Sequence, residues 1–430
     1  YMWTGQAQDA EQIVLGGTLH GIDHEDFLIA MAPRPVMVLS VESDFFPLEA
    51  AAETVERAKR IYRLFGREED VSHVHTPGTH EYHPELAKAA TSFFIRCLLR
   101  RDPRTVDHTE PATIDPIVLN CTHRGQIVLD RPETRRVFDL NLAAFQRRVD
   151  AGAAHGLLGP TDLLQFEPLE RRVDTGVAHG LLEQKRRWIA DRAFHHRGPG
   201  PFRPRILPGP DLSQEYGDDA PRVTHSFWWS ERDMLNAGIL VAPRSGDAHT
   251  LTVALFDQGT TDLEVPMWRT WTMDKVSTGE AVLALDVRGS GALLPHAVNP
   301  AALDDDYGTI YKLLCDLLWL DDSLEAARIF DVLRAIQLVR SGELGELGGV
   351  PIHLIGVGRG GFHAYYAAAV DDRIKRVEVV SSDLDPRATV TRRLYGGMNT
   401  GWQHMIPGMA VDCTIDDLRP LFKGREVIVR

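Results

Sequence analysis

Positive charge is scarce in this 430-residue chain: 47 lysines and arginines face 61 aspartates and glutamates, for a net charge of -14. Nucleic-acid affinity comes largely from clustered Lys and Arg, so no nucleic-acid partner is expected. Long apolar runs are missing too. No stretch of about eighteen apolar residues occurs, so no membrane-spanning helix and no membrane partner are predicted. Cysteine is sparse: Cys97, Cys121, Cys315 and Cys413 show no metal-type spacing, and a chain of this size needs no disulfide framework. The chain opens on Tyr1 with neither an initiator Met nor a signal peptide, which fits a fragment whose targeting information lies elsewhere.

What is present suits packed globular structure. Hydrophobic residues make up 43%, ample for buried cores, and the length suggests roughly two to three domains. The apolar, β-rich run Pro33–Pro47 ends in an acidic turn, Glu42-Ser43-Asp44, and suits a strand buried on both faces of a parallel sheet. A helix is predicted from about Glu49 to Phe65 and a second strand from Val71 to Thr76. The turn Pro77-Gly78-Thr79-His80 follows, then a helix from about Pro84 to Arg100. Strand, acid, helix, strand, histidine, helix is the order of the closing unit of an α/β-hydrolase.

A second region has the opening parts of the same architecture. Ile352 to Ala364 reads as the strand, tight turn and small-residue helix of a G-x-S-x-G elbow, in which glycines let the backbone turn sharply. Gly358 stands where the serine would be. Upstream, the strand Ala281–Leu285 leads into Asp286-Val287-Arg288-Gly289-Ser290-Gly291, like the Asp-x-Arg-Gly-x-Gly loop that precedes such elbows. Glycine offers no nucleophilic atom, so this second copy is expected to be catalytically dead. The run Gly356–Gly361 also suggests a phosphate-binding loop at a helix N-terminus. It has no Walker lysine, which ranks that reading low.

Comparison of the chain with itself accounts for the reversed order. Asp26, Arg34, Val36 and Val38 recur as Asp417, Arg425, Val427 and Val429, each 391 positions on (417 minus 26, 425 minus 34). Gly16 and Gly408 agree to within one residue. The expected fold is therefore α/β, a mostly parallel sheet with helices on both faces, present as two truncated copies. A circular permutant would contain the repeated strand once. On the same offset the first copy's elbow falls about 33 residues before Tyr1 (358 minus 391). The predicted domains are 1–101, the closing half of domain one; 102–210, a connector; and 211–430, the opening part of a degenerate domain two.

In the connector, Gln126 to Leu129 reads as a short strand and Glu133 to Arg148 as helical. Arg147–Leu158 returns as Arg171–Leu182 with ten of twelve positions identical, a local tandem duplication too short for a solenoid. Gly198 to Pro210 reads as a Pro/Gly-rich linker.

The candidate catalytic residues are Asp44 and His80. A serine hydrolase needs a hydroxyl nucleophile, an imidazole to take its proton, and a carboxylate to hold the imidazole's tautomer and stabilise its cation. Asp44 follows one strand and His80 the next, at the sheet edge where α/β folds bind ligands. The blander reading is that Asp44 caps the helix near Glu49 and His80 is a polar loop residue. His73, His75, His80 and His83 invite a zinc reading, but no carboxylate is interleaved as in H-E-x-x-H, so no metal and no cofactor are expected. Ser290 has glycine neighbours but no strand-turn-helix context, and is taken as a loop residue.

A resemblance rests on particular segments: residues 9–27 (DAEQIVLGGTLHGIDHEDF), 32–47 (APRPVMVLSVESDFFP), 76–85 (TPGTHEYHPE), 125–130 (GQIVLD) and 135–142 (RRVFDLNL). With them go 330–339 (FDVLRAIQLV) and 354–372 (LIGVGRGGFHAYYAAAVDD). Together these resemble the acetylxylan-esterase-like α/β-hydrolases of bacteria that carry two hydrolase domains in tandem. The resemblance implies that Asp44 is the catalytic acid, His80 the catalytic histidine and Gly358 a lost serine. It further implies hydrolysis of acetyl or related esters on plant polysaccharide by a secreted or periplasmic enzyme. Two other classes fit the residues: a serine peptidase of the prolyl-oligopeptidase kind, which would need a gating domain upstream, and a carbohydrate-binding or scaffolding pair with both copies degenerate. A serine at the upstream elbow would argue against the last, and a glycine there would establish it.

Overall fold

The computed structural model describes residues 9, 12–105, 112–154, 175–244, 248–260, 265–303, 305, 307–382, 384–391 and 406–430. The chain divides into two compact units, residues 1–135 and 136–430.

Unit 1 is built on two parallel strands, β1 (Val36–Val41) and β2 (Val71–Thr76), paired from Val36 opposite Val71 to Val41 opposite Thr76. Helix α1 (His24–Ile29) precedes β1, α2 (Leu48–Leu64) connects the strands, and α3 (Pro84–Cys97) follows β2. These bounds lie within a few residues of those read from the apolar runs and their Pro/Gly punctuation. Asp23 and Asp26 form a reciprocal capping box at the start of α1. Val55, Ala58 and Tyr62, at helical spacing on α2, are buried against Val71 with Leu28, Ile29, Val36 and Val38 packed around them. The Tyr62 hydroxyl donates to the Arg34 carbonyl at 2.7 Å.

Unit 2 carries an eight-stranded sheet: β3 (Arg205–Pro208), β4 (Arg222–Glu231), β5 (Met234–Ala242), β6 (Thr250–Leu255), β7 (Glu280–Asp286), β8 (Ile352–Val357), β9 (Ile374–Val380) and β10 (Glu426–Val429). The spatial order is β10-β9-β8-β6-β7-β5-β4-β3. The pairs from β10 to β7 are parallel and those from β7 to β3 antiparallel. All six residues of β6 are buried, as a strand covered on both faces requires. Leu251, Val253 and Leu255 point into one core with the helices Thr175–Phe194, Leu324–Ser341 and Arg359–Val370. Ala254 points into the other, against Trp268 and Val276 of the helix Val265–Ser277.

Three sequence expectations give way here. Gln126–Leu129 is not a strand: Ile127–Asp130 forms one helical turn, closed by Asp130 accepting from the Arg124 backbone N–H and Nε, both at 2.8 Å. The Pro/Gly-rich linker contributes β3, which pairs antiparallel with β4 even though its side chains are exposed. Residues 136–210, expected in a separate connector, belong to unit 2, because Ile189 and Ala193 on the helix Thr175–Phe194 are buried in its main core. Most of the tandem repeat, Arg147–Leu158 and Arg171–Leu182, lies outside the described residues.

Candidate active site

Asp44 and His80 leave the carboxyl ends of two paired parallel strands, so their loops start side by side. The ladder continues past the strands: the Glu42 N–H donates to the Thr76 carbonyl at 3.1 Å and the Ser43 N–H to the Gly78 carbonyl at 2.9 Å. The structure thus brings acid and imidazole together, with His80 Nδ1 3.0 Å from both carboxylate oxygens of Asp44. The Asp44 side chain is only 10% exposed and that of His80 58% exposed. A carboxylate can only accept here, so Nδ1 carries the proton and Nε2 keeps its lone pair. No described residue bonds Nε2. Phe45 lies against the imidazole, ring centroids 4.3 Å apart, and limits its rotation.

Asp44 is not a helix cap. The residue before α2 is Pro47, and Asp44 Oδ1 instead accepts from the Phe46 N–H at 3.1 Å, which orients the carboxyl within its own turn. The other histidines go elsewhere: His73 Nε2 lies 3.0 Å from Ser40 Oγ, His75 Nδ1 3.5 Å from Glu42, and His83 Nε2 donates to the Thr79 carbonyl at 3.2 Å. Half-burial lowers the His73 pKa, with His75 and Lys59 nearby adding to the effect.

In unit 2 the turn at Gly358 has the geometry of an elbow. Gly358 joins β8 to the helix Arg359–Val370 at φ 55° and ψ -127°, a positive φ that side-chain-bearing residues reach only under strain. At Gly360 a Cβ would run into the Leu255 carbonyl, so glycine lets the helix lie close on β6. β6 and β8 are neighbours from which the chain departs in opposite directions, a topological switch point of the kind where α/β sheets bind ligands.

That position is closed by the chain itself. Asp257, two residues past β6, accepts from the Arg359 backbone N–H at 2.8 Å. A Cβ built on Gly358 would lie 2.5 Å from Asp257 Oδ1. In a working elbow the N–H of the residue after the nucleophile is an oxyanion donor. Here it already holds a carboxylate. Ser290 is a loop residue, its hydroxyl donating to the Val287 carbonyl at 2.8 Å.

Sequence reasoning missed a buried ion network behind this elbow. Asp331 takes hydrogen bonds from the Arg288 backbone N–H and guanidinium at 2.6–3.0 Å, and Arg288 also donates to Glu231 at 2.8 Å. The two carboxylates hold the Arg288 pKa up against the cost of its burial. Glu325 pairs with His363 of the elbow helix and with Arg328, which donates from Nε to the Arg288 carbonyl at 3.1 Å. The signal was present as Glu325, Arg328, Asp331 and Arg334 at every third position of one helix, a pattern that ordinarily marks a solvated face. Asp286, the last residue of β7, accepts from the Thr260 and Ala292 N–H groups at 2.7 and 2.9 Å while burial raises its pKa. Among the described residues no helix is long and apolar enough to cross a membrane.

No protein-family model and no curated protein matches the chain. Among solved structures it is similar to a Bacteroides fragilis protein assigned as an acetyl xylan esterase. The TM-score is 0.49 and the identity 11%, over 70% of this chain and 76% of that one. It is also similar to acetyl xylan esterase 1 of a Thermoanaerobacterium species (TM-score 0.41, 15% identity, 58% of this chain and 81% of that one). A third is an acetyl xylan esterase of Paenibacillus sp. R4 (TM-score 0.38, 19% identity, 61% of this chain and 79% of that one).

Proposed function

We propose that unit 1 supplies the acid and the histidine of a serine-type ester hydrolase whose nucleophile is carried by a G-x-S-x-G segment outside this sequence. On this reading unit 2 is a second copy without catalytic function. One observation supports the reading above the rest: a nearly buried carboxylate gripping Nδ1 of a half-exposed imidazole, with Nε2 open. In that arrangement Asp44 holds the tautomer and stabilises the cation, while His80 takes the proton of the attacking hydroxyl and returns it to the leaving alcohol. The substrate class follows the family resemblance: an acetyl or related ester on a polysaccharide, met by an exported enzyme.

For the second unit, the closed elbow supports the non-catalytic reading. Gly358 has no nucleophilic atom, and Asp257 presents an anion where an oxyanion would have to develop. The internal offset of 391 positions supports two copies, because paired positions such as Asp26 and Asp417 serve the same local role in each.

The test is ester turnover. The 430-residue chain alone should leave p-nitrophenyl acetate hydrolysis at the rate of free imidazole, and a protein carrying the serine segment ahead of Tyr1 should accelerate it. His80→Ala in that protein should lower kcat by about 1,000-fold or more. A rate unchanged by His80→Ala would remove the histidine from the mechanism and the reading with it.

A further inference from the structure

Unit 2 has a cavity at the end of its sheet opposite the Gly358 elbow. Gly358 follows the carboxyl end of β8, whereas the cavity lies beside residues 372–375, where β9 begins, and residues 421–425, which lead into β10. It offers about 430 Å³ and gathers five cations: Arg186 of the helix Thr175–Phe194, Arg373 and Lys375 around the start of β9, and Lys423 and Arg425 ahead of β10. Among the described residues Asp372 is the one carboxylate in the lining. Such a grouping runs against a chain whose net charge is -14. Like charges drawn together from three elements repel, and an anion among them relieves the repulsion.

The neighbouring carboxylates neutralise only part of this charge. Arg373 is matched by Asp371, whose two oxygens accept from Nε and Nη2 at 2.8 and 2.6 Å. Arg186 Nη1 lies 3.6 Å from Glu183 and 3.5 Å from Asp372, and its Nε is buried with no acceptor among the described residues. Arg425 donates to backbone carbonyls, from Nη1 to Ala368, Asp371 and Ile374 at 2.7, 3.2 and 3.4 Å and from Nη2 to Leu421 at 2.7 Å. Carbonyls are neutral, and burial, with Arg186 close by, pulls the Arg425 pKa below its ordinary value. Lys375 and Lys423 are exposed, and neither has an ion pair or hydrogen bond among the described residues.

The groups left free decide the class of ligand. A flat carboxylate is best met by a guanidinium fork, and the forks of Arg373 and Arg425 are already occupied. What remains is two ammonium groups and one guanidinium N–H, single donors carried by separate elements. They suit an anion with oxygens on all sides and nearly two charges, as phosphate has. Leu421 is the large apolar side chain of the lining and no aromatic ring is described there, so nothing would stack on a base. We infer that this cavity binds a phosphate group, free or carried by a hydrophilic molecule such as a sugar, with Lys375, Lys423 and Arg186 Nε as donors. The site stands whether or not unit 2 is catalytic, because it lies at the amino ends of the strands.

Titration calorimetry on the full chain at constant ionic strength tests it. Inorganic phosphate and glucose 6-phosphate should each fill one site, and the thermal midpoint of unit 2 should rise with their concentration, as for any ligand held by the folded state alone. Glucuronate, a sugar with a single carboxylate, should bind about tenfold more weakly or worse. Lys375→Gln and Lys423→Gln should each weaken phosphate binding by about tenfold. Both side chains are exposed, so the variants fold and a loss of affinity reports on the site. Asp372→Asn should tighten binding, because it removes the anion of the lining and frees Arg186. Equal affinity for the two phosphates supports a site for the free ion, and tighter binding of glucose 6-phosphate supports one for a phosphorylated carbohydrate. No saturable binding, binding unchanged in both lysine variants, or glucuronate bound as tightly as phosphate overturns the proposal. Ester turnover enters none of these readings, so they stand or fall separately from the His80 result.

Discussion

The turn beyond β1 and the turn beyond β8 each follow the carboxyl end of a parallel strand, and they are filled in opposite ways. Asp44 and His80 are hydrogen-bonded to each other, and the outer nitrogen of the imidazole is open to solvent. The Gly358 turn has the backbone shape of an elbow but no side chain, and Asp257 lies where a Cβ would project. Backbone geometry and chemistry are therefore separable. The elbow persists because Gly356, Gly358 and Gly360 let the helix pack on the sheet, and that packing contributes to stability whether or not a nucleophile is present.

The largest expected effect comes from the network that holds the silent elbow's frame. Asp331→Ala leaves Arg288 buried without its main partner and should destabilise unit 2 by about 3–5 kcal/mol, read by denaturant unfolding. An Asp331→Ala protein as stable as the parent would mean that the elbow stands without its ionic support. Next comes Gly358→Ser, which must fit a side chain against Asp257 at a positive φ. It should cost about 1–3 kcal/mol, and combining it with Asp257→Ala should cost less than the sum of the two single changes. Additive losses would show that the carboxylate does not occupy the nucleophile's space.

Smaller effects separate the units from the other side. Tyr62→Phe removes the hydroxyl that holds the Arg34 carbonyl and should lower the stability of unit 1 by about 1 kcal/mol while leaving unit 2 unchanged. The least effect is on pH dependence. His73 has its folded pKa lowered from 6.5, so its contribution to stability is present above that pH and lost as pH falls through the folded value. His73→Gln should therefore flatten the decline of unit 1 stability from pH 7.5 to 5 in thermal melts. An equal decline in both proteins would assign the acid sensitivity to other groups.

The strand–helix–strand–helix of unit 1 was legible because its apolar runs are separated by Pro and Gly, and because Asp44 and His80 each stand just past a strand end. Their approach was legible for the same reason, since paired strands of equal length deliver their next residues to one place. The closing of the elbow was not. Asp257 and Gly358 are 101 positions apart (358 minus 257), and nothing local marks an aspartate after a strand as a plug. The ion network of the helix Leu324–Ser341 was missed because the same periodicity describes a wet face and a buried lattice of ion pairs. β3 hid in a stretch rich in proline, since an edge strand needs hydrogen bonds on one side only.

The two strands of unit 1 meet in strict register, and the backbone bonds from Glu42 and Ser43 carry that alignment into the turns that follow. The pairing of acid and base is thus written into about 40 consecutive residues and asks nothing of the remainder of the sheet. A piece of this kind is portable. Gene rearrangement can move it into a new frame without disturbing the inner alignment of its carboxylate and imidazole.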